Sequence, residues 1–228
     1  MATERDYDTN PQRYRLGTRL TAAHLRTGTG LYGKIAALLG RFRAGRVLDV
    51  GCGEGALREA VPEGTWLVGL DASATMLADV PPPKVQADAV ALPFADGVFD
   101  AVVAVNVFDH LPDPLPGLRE AHRVLRRDGV LIAGAISRHD SPELAPVWRP
   151  APTPFDAEDA PGIVASVFGQ VAVDAWDAPL LTLPDTEAIA DFLIARFVPA
   201  ERAARDARAI PAPVTLTKRG GLIIGHRA

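Results

Sequence analysis

The sequence predicts an α/β fold in which a doubly wound, mainly parallel sheet carries helices on both faces. Between residues 46 and 137, short apolar segments alternate with helical ones, which is typical of parallel strands joined by crossover helices. The segments "TWLVGLD" and "KVQAD" each end in an acid, and "RVLDV" stops at a glycine. Since ligands of open α/β sheets bind at the carboxyl ends of strands, we expect the functional site at this edge.

The predicted core elements follow one another closely. Strands are predicted at "RVLDV", "TWLVGLD", "KVQAD", "FDAVVAVN" and "GVLIAGAIS". Helices are predicted between them at "GEGALREAV", "SATMLADV" and "DPLPGLREAHRVLRRDG", with Ser73 as the N-cap of the second. The prolines 81–83 form a rigid connector before the third strand.

The flanking segments have a different composition. Residues 1–45 are predicted to be helical, and the proline-rich "RHDSPELAPVWRPAPTPFD" after Ser137 is predicted to be a long surface loop or lid. A helix closed by Gly169, the strand "QVAVDAWD" and the helices "PDTEAIADFLIARFV" and "PAERAARDARA" follow. The last segment, "LTKRGGLIIGHR", is predicted to be a turn and a final strand. We expect one domain with an appended lid.

Composition and charge exclude several function classes. The formal net charge is -4 and no basic run exceeds the pair Arg126–Arg127, which argues against a dedicated nucleic-acid binder. With Cys52 as the single cysteine, an intramolecular disulfide and a multi-cysteine zinc site are excluded. The start "MATERDYDTNPQRYR" lacks the apolar core of a signal peptide, and no apolar run could span a bilayer. We expect a cytoplasmic protein without a membrane partner.

The stretch "VLDVGCGEG" carries the most informative motif. Gly51, Gly53 and Gly55 alternate with other residues directly after a predicted strand, so the backbone can approach a ligand closely. The spacing fits the dinucleotide pattern G-x-G-x-x-A, and Asp71 lies where that pattern places a ribose-binding acid. On spacing alone, a dinucleotide therefore stays open as the ligand.

The charges around the glycine loop distinguish a dinucleotide from a cationic ligand. A pyrophosphate needs positive potential at the glycine loop, whereas Asp49 precedes the loop and Glu54 lies inside it. Two carboxylates suit a ligand with an ammonium group and no phosphate. S-adenosylmethionine is such a ligand, because it combines adenosine with an ammonium group and a sulfonium.

A family resemblance extends this interpretation. Residues 47–137, with "VLDVGCGEG", "VGLDAS", "QADAVALPFADGVFDAVVAVNVFDHLPD" and "LREAHRVLRRDGVLIAG", resemble the core of class I S-adenosylmethionine-dependent methyltransferases of the small-molecule type (methyltransferase domain 11/25-like). The resemblance implies a Rossmann-like, mainly parallel seven-stranded sheet with an antiparallel last strand. It also implies a single domain with an N-terminal helical lid (1–45), a cofactor-binding core (46–137), and an acceptor-side loop, helices and last two strands (138–228).

The resemblance implies roles around the methionine part of S-adenosylmethionine. Asp49 and the backbone of Gly51 hold the ammonium group, directly or through water. Gly53 and Gly55 let the loop pass beneath the ligand. Asn106, at the end of the fourth strand, lies under the methionine portion.

Further roles are implied around the nucleoside. Asp71 accepts hydrogen bonds from both ribose hydroxyls, and such charge-assisted bonds each contribute about 1.5–3 kcal/mol. Ala72 and Met76 pack on the adenine face. Asp88 accepts from the adenine amino group, and the amide of Ala89 donates to the ring.

Catalytic groups are less narrowly defined. His110 and His139 are the candidate general bases because histidine titrates near neutral pH. For His110, a structural role in the turn after the fourth strand is the alternative. One of Tyr7, Tyr14 and Tyr32 is a candidate to cover the sulfonium, since the face of a tyrosine stabilises a cation.

The implied activity is methyl transfer to an O or N atom of a small molecule by in-line displacement, with no metal. The sequence leaves the oligomeric state undecided between a monomer and a homodimer. One rival function is that of an NAD(P)-dependent oxidoreductase, but a short-chain dehydrogenase needs Tyr-x-x-x-Lys, and Pro11, Thr18 and Ala36 stand four residues after the tyrosines. The other rival is a protein of the same fold that binds the cofactor without transferring methyl, including a regulatory one.

Some methyltransferase subclasses are disfavoured by particular residues. The stretch Asn106–Asp109 lacks the Pro-Pro of enzymes that modify adenine in DNA, and Cys52 alone does not support thiolate chemistry at cytosine. Asp128–Gly129 replaces the Pro-Gly turn found in many relatives, and Asp109 stands where they often have histidine or tryptophan. The acceptor is therefore expected to be a small molecule bound under residues 137–200.

Overall fold

A seven-stranded sheet runs through the computed structural model, which describes residues 7–25 and 30–228. The strands are β1 (Arg46–Val50), β2 (Trp66–Asp71), β3 (Lys84–Gln86), β4 (Phe99–Val105), β5 (Leu125–Ile136), β6 (Val171–Leu183) and β7 (Val214–His226). Their order is β3-β2-β1-β4-β5-β7-β6, with parallel pairing among β1–β5 and antiparallel pairing of β7 with β5 and β6. The predicted fold class is confirmed.

Helices surround the sheet. They are α1 (Pro11–His24), α2 (Leu31–Arg41), α3 (Ala74–Leu77), α4 (Leu115–Val124), α5 (Ala160–Phe168), α6 (Thr186–Ile194) and α7 (Ala200–Ala207). Ser73 caps α3 by accepting the amide of Met76, as predicted, and Asp185 caps α6 by accepting that of Ala188. In the described part of the chain, no helix has the length and apolar character needed to cross a membrane.

The central strands are buried on both faces. Val47 on β1 packs on one face with Ile35 and Leu39 of α2, all fully buried. Leu48 packs on the other face in the cluster that contains Leu118 of α4 and residues of α5. This two-sided burial explains why β1, β4 and residues 130–136 of β5 are mostly apolar instead of alternating between apolar and polar residues.

A third apolar cluster lies beyond the sheet. β6 and β7 continue past the end of β5, and their outer residues pack with α6, α7 and Leu20 of α1. We call α6, α7 and residues 178–183 and 214–218 the cap. Leu25, just after α1, pairs with Leu181 of the cap. The N-terminal helix is therefore attached to the same end of the molecule as the cap.

The local prediction after the glycine loop was wrong. The helix predicted at "GEGALREAV" is only a 3-10 turn at Ala56–Glu59. Pro62 follows closely, and the residue before a proline disfavours helical geometry, so a longer helix has no room before β2. The side chain of Arg58 instead donates to the carbonyls of Leu67 and Pro83.

Two boundaries also differ from the prediction. α4 ends at Val124, and Leu125, predicted on the helix, starts β5 opposite Phe99. The predicted turn in "LTKRGG" is absent, because β7 runs straight through Gly220. A Cβ at Gly220 would lie 2.6 Å from the ring of Trp176, so this glycine makes room for a tryptophan on β6.

Candidate cofactor site

The glycine loop after β1 has a backbone that other residues adopt only with strain. Gly51, Gly53 and Gly55 have φ values of +65°, +53° and +84°. A Cβ at Gly51 would lie 2.3 Å from Cγ2 of Val107, and one at Gly53 would lie 2.8 Å from the hydroxyl of Tyr14. The loop therefore lies in close contact with the start of the β4 turn and with α1.

Two carboxylates flank this loop. Asp49 on β1 is 5% exposed, and its pKa is raised to about 8, chiefly by burial and then by the nearby Asp71, against the opposing charge of Arg58. Asp71 at the end of β2 accepts the amides of Gly53 and Ser73, each at 2.9 Å. The strand-end acids are therefore brought together at the carboxyl edge of the sheet.

The residues expected near the nucleoside follow β2 and β3. The methyl carbon of Met76 lies 3.7 Å from the position of a Cβ at Gly53, while Ala72 is exposed and its carbonyl accepts from Gln86. Ala87 donates its amide to the carbonyl of Asp71, so the end of β3 lies beside the end of β2.

Asp88 and Ala89 come directly after this point. Asp88 is exposed, and its carboxylate accepts the amide of Val90, whereas Ala89 is buried. Asn106, after β4, has φ +54°, a conformation that asparagine tolerates better than most residues. Since Val107 touches Gly51, the end of β4 also borders the glycine loop.

Tyrosines from the N-terminal segment cover the site. The hydroxyl of Tyr7 lies 2.9 Å from Nε2 of His110, and its ring packs edge-on against Tyr14. Burial raises the pKa of Tyr7 to about 12, with Asp109 adding to the effect. Tyr14 lies over Gly53, so the pair extends from the β4 turn to the glycine loop.

Polar contacts fasten this segment on several sides. Arg15 donates to Glu54 of the glycine loop at 2.6 Å, and the Asp8 carboxylate accepts the hydroxyl of Ser73 at 2.5 Å. Arg13 donates to the carbonyl of Ala195 in the chain just after α6, at 2.9 Å. The segment therefore bridges the glycine loop, the end of β2 and the cap edge. Sequence reasoning missed these three partners, although "RDYDTNPQRYR" mixes acids, arginines and tyrosines.

Tyr32 and His139 are placed differently. Tyr32 lies on α2, where burial raises its pKa and Asp49 is a neighbouring charge. His139 is exposed, donates its amide to Ser137 and accepts Arg219 at its carbonyl. It lines a surface cavity of about 500 Å³ between β6, β7 and the loop after β5. The two candidate general bases therefore have different surroundings. His110 contacts Tyr7 of the N-terminal segment, whereas His139 contacts Arg219 on β7 and lines the cavity beside β6 and β7.

The described residues also show how the chain is equipped for metal binding and for cysteine chemistry. Within residues 7–25 and 30–228, no group of three or more His, Cys, Asp or Glu side chains is placed to hold a metal. Cys52 is buried and its pKa is raised to about 12, chiefly by burial and then by Asp49 and Asp71. A thiol in this state is a poor nucleophile.

Comparisons with known proteins agree with this geometry. Residues 48–133 match the family described as methyltransferase domain. The 27-O-demethylrifamycin SV methyltransferase of Amycolatopsis mediterranei is 32% identical over 165 residues, which cover 67% of this chain and 58% of that protein. A demethylmenaquinone methyltransferase of Mycolicibacterium vanbaalenii is 40% identical over 110 residues, covering 46% and 47%. The chain thus spans about half of the length of these curated relatives.

Solved structures share the fold. The [4+2]-cyclase SpnF superposes with a TM-score of 0.63 at 17% identity, covering 97% of this chain and 94% of that one. A methyltransferase assigned to an antibiotic biosynthesis pathway of Anabaena variabilis gives 0.63 at 12% identity, covering 84% and 96%. The sheet order and glycine loop define a Rossmann-like α/β protein. With the family match, residues 48–133 are a methyltransferase domain, and the chain is similar to class I S-adenosylmethionine-dependent methyltransferases.

Proposed function

We propose that this protein transfers the methyl group of S-adenosylmethionine to an O or N atom of a small molecule. The observation that carries the proposal is the pair of strand-end carboxylates beside the glycine loop, under Tyr14. The Asp71 carboxylate, and that of Asp49 once a bound cation favours its ionised form, suit a ligand with an ammonium group and a sulfonium.

The same geometry disfavours a dinucleotide. A pyrophosphate site uses the N-terminus of an α-helix, whereas here a 3-10 turn, Ala56–Glu59, follows the loop. The amide of Gly53 is already bonded to Asp71, so a pyrophosphate would have to displace a carboxylate. An NAD(P)-dependent oxidoreductase is therefore the weaker candidate.

We assign the cofactor roles as follows. Asp71 uses one lone pair on each oxygen for Gly53 and Ser73, and the remaining lone pairs can accept the ribose hydroxyls. Asp49, with the backbone of Gly51, binds the ammonium. Asp88, Ala89, Ala72 and Met76 border the adenine, and Asn106 lies beneath the methionine portion.

Catalysis in this proposal is mainly positioning. Bound S-adenosylmethionine would supply an electrophilic methyl group, which an aligned acceptor atom would take as the methyl–sulfur bond breaks and neutral S-adenosylhomocysteine is left. Tyr7 and Tyr14 cover the pocket and exclude water, and one of the two rings stabilises the cation. His110 takes the proton of a hydroxyl acceptor through the hydroxyl of Tyr7, which lies 2.9 Å from its Nε2 and passes its own proton to that atom. Alignment supplies on the order of 7–11 kcal/mol of the barrier reduction.

The proposed regions of the chain follow from these contacts. α1 acts as the N-terminal lid, residues 46–137 hold the cofactor, and the cap with the loop after β5 borders the acceptor. The acceptor is proposed to be a small molecule instead of a nucleic acid, since the two curated relatives described above are named for the methylation of such compounds, 27-O-demethylrifamycin SV and demethylmenaquinone.

Separate calorimetric titrations with S-adenosylhomocysteine and with NADH test the cofactor assignment. We expect binding of the first compound and none of the second, and the reverse pattern would refute the proposal. Formation of S-adenosylhomocysteine from S-adenosylmethionine in the presence of acceptor mixtures then tests methyl transfer. Tight cofactor binding without turnover on any acceptor would favour the alternative function, that of a cofactor-binding protein which does not transfer methyl. The fold is shared with a differently named protein, the [4+2]-cyclase SpnF.

A further inference from the structure

The helix α1 contacts two parts of the molecule through two different kinds of interaction. On the cap side, Leu20 is 8% exposed and lies in the apolar cluster that contains residues of α6 and α7. A Cβ at Gly17 would lie 3.3 Å from the Cβ of Ala195, so the helix packs closely against the chain just after α6. Leu25 pairs with Leu181 of the cap. Apolar packing therefore dominates the cap side of α1.

Arg13 adds a buried contact on the same side. The residue is 9% exposed, its Nη1 donates to the carbonyl of Ala195 at 2.9 Å, and its guanidinium lies 3.4 Å from the centre of the Phe197 ring. Cation–π contacts stabilise most when the cation is desolvated. Phe197 makes this contact in a left-handed conformation, with φ +65°, that is strained for a bulky residue. The chain between α6 and α7 is therefore shaped to hold α1.

On the opposite side, the N-terminal segment contacts the core through polar groups. Arg15 donates to Glu54 of the glycine loop at 2.6 Å, and the two side chains are 32% and 36% exposed. The Asp8 carboxylate accepts the hydroxyl of Ser73 at 2.5 Å. Exposed ion pairs stabilise a protein far less than the burial of an apolar side chain does. The contacts with the glycine loop and with the end of β2 are therefore the weaker set.

The tyrosines of this segment also meet the core through their hydroxyl ends. The hydroxyl of Tyr7 lies 2.9 Å from Nε2 of His110, and that of Tyr14 would lie 2.8 Å from a Cβ at Gly53. Both contacts lie over the proposed cofactor pocket, so they must be released when the cofactor exchanges. Water can replace a hydroxyl contact of this kind.

The cap is joined to the sheet by a ribbon, residues 178–183 of β6 and 214–218 of β7, which continues beyond β5. The pairing in this ribbon shifts between Pro179 and Leu181, which leaves Leu180 as an extra residue. A β-bulge of this kind interrupts the ladder and lets the strand bend. At its base, Glu143 of the loop after β5 accepts the amide and the hydroxyl of Thr217, which pairs with Pro179. The ribbon therefore has a fixed base and a bend point above it.

We propose that α1, α6, α7 and the ribbon beyond Leu180 move as one body when the cofactor site opens, through a bend at the bulge. The contacts with the glycine loop and with the end of β2 then break, whereas the cap contacts of α1 persist. Those cap contacts lie at Leu181, on α6 and in the chain after α6, all of them beyond the bulge, so the bend separates none of them. The inference rests on the proposed function, because it describes how the same site opens.

A disulfide between α1 and the chain after α6 tests whether the two stay together. The variant G17C/A195C is suited to this, because the two Cβ positions lie 3.3 Å apart, close to the separation in natural disulfides. The native Cys52 is buried and does not compete. Release of S-adenosylhomocysteine from the full chain is measured by stopped flow with the bridge oxidised and, as the matched control, reduced. We expect the same release rate in both forms.

Loosening of the glycine-loop side should accelerate release. R15M removes the exposed ion pair with Glu54, and we expect release to become about two- to fivefold faster, with the bridge oxidised or reduced. R19M, at an exposed position on the same helix, is the control and should release at the wild-type rate. Slower release from the oxidised form, or an unchanged rate in R15M, would overturn the proposal. A bridge that fails to form would do so too, because it would contradict the close packing of Gly17 on Ala195.

Hydrogen exchange of the glycine-loop amides, at residues 51–55, separates failure of this proposal from failure of the proposed function. The measurement needs no cofactor, and R15M should raise the exchange rate by the same factor with the bridge oxidised or reduced. A chain that shows this pattern but binds no S-adenosylhomocysteine would support the joint movement and refute the cofactor assignment. An exchange rate that R15M leaves unchanged would overturn the joint movement whether or not the cofactor binds.

Discussion

The Asp71 carboxylate accepts the Gly53 amide at 2.9 Å, so the acid that ends β2 holds the glycine loop that follows β1. These residues are 18 positions apart, and the bond joins neighbouring parallel strands at their carboxyl ends. One side chain therefore shapes the loop and also presents free lone pairs towards the proposed ribose position.

Replacement of this acid should separate binding from folding. We expect Asp71→Ala to weaken S-adenosylhomocysteine binding by about tenfold or more, because each lost charge-assisted bond contributes about 1.5–3 kcal/mol. Calorimetric titration measures the affinity, and circular dichroism verifies that the variant is folded. Asp79→Ala, at an exposed position after α3, is the control and should bind normally. Unchanged affinity in Asp71→Ala would mean that the ribose is held by other groups.

In the ligand-free protein, ionisation of Asp49 at neutral and higher pH should lower the free energy of unfolding. Its folded-state pKa of about 8 lies above that of an unfolded aspartate, so the stability it contributes is complete at acidic pH and is lost as the pH rises towards 8. Asp49→Asn removes this loss. We expect the melting temperature of the variant to exceed that of the wild type by a margin that grows between about pH 4 and pH 8. A pH-independent margin would contradict the raised pKa.

Ligand binding should be coupled to the same proton. An ammonium group binds to the ionised form of Asp49, so below about pH 8 the site must release a proton when S-adenosylhomocysteine binds. We expect the affinity to rise with pH up to about 8. Titrations in buffers of different ionisation enthalpy count the released protons. The Asp49→Asn variant should release none and bind weakly, whereas proton release from the variant would place the titrating group elsewhere.

Two glycines with positive φ allow backbone strain to be separated from steric overlap. Gly64 has φ +83° and open space around it, so Gly64→Ala should cost about 1–2 kcal/mol of unfolding free energy from strain alone. Gly51→Ala adds an overlap with Val107 at 2.3 Å, and we expect it to cost about 1–3 kcal/mol more. Urea denaturation measures both variants. Equal losses would show that Val107 moves aside freely.

The sheet and its strand-end acids could be predicted because they depend on local patterns. Apolar runs bounded by glycine or aspartate give the strands, and parallel pairing places Asp49 and Asp71 at one edge. The contacts of the N-terminal segment could not be derived in this way. Tyr7 meets His110 across 103 residues, and no periodicity reports such a pairing.

Failures of local prediction have tertiary causes. The segment "LTKRGGLIIGHR" was predicted to contain a turn before its strand, but Gly220 within it makes room for Trp176 on the neighbouring strand. The helix after the glycine loop was predicted from its composition, while Pro62 and the hydrogen bonds of Arg58 keep that segment short. Contacts with Trp176 in the first place, and with the carbonyls of Leu67 and Pro83 in the second, therefore contribute to a conformation that the local pattern does not predict.

The contacts of α1 with Glu54 on one side and with the chain after α6 on the other have a kinetic consequence. Under the proposed function, release of S-adenosylhomocysteine requires displacement of α1, the helix that is also proposed to border the acceptor. Donor release and acceptor entry are then not independent steps, so steady-state measurements with both substrates varied should give an ordered pattern instead of a random one.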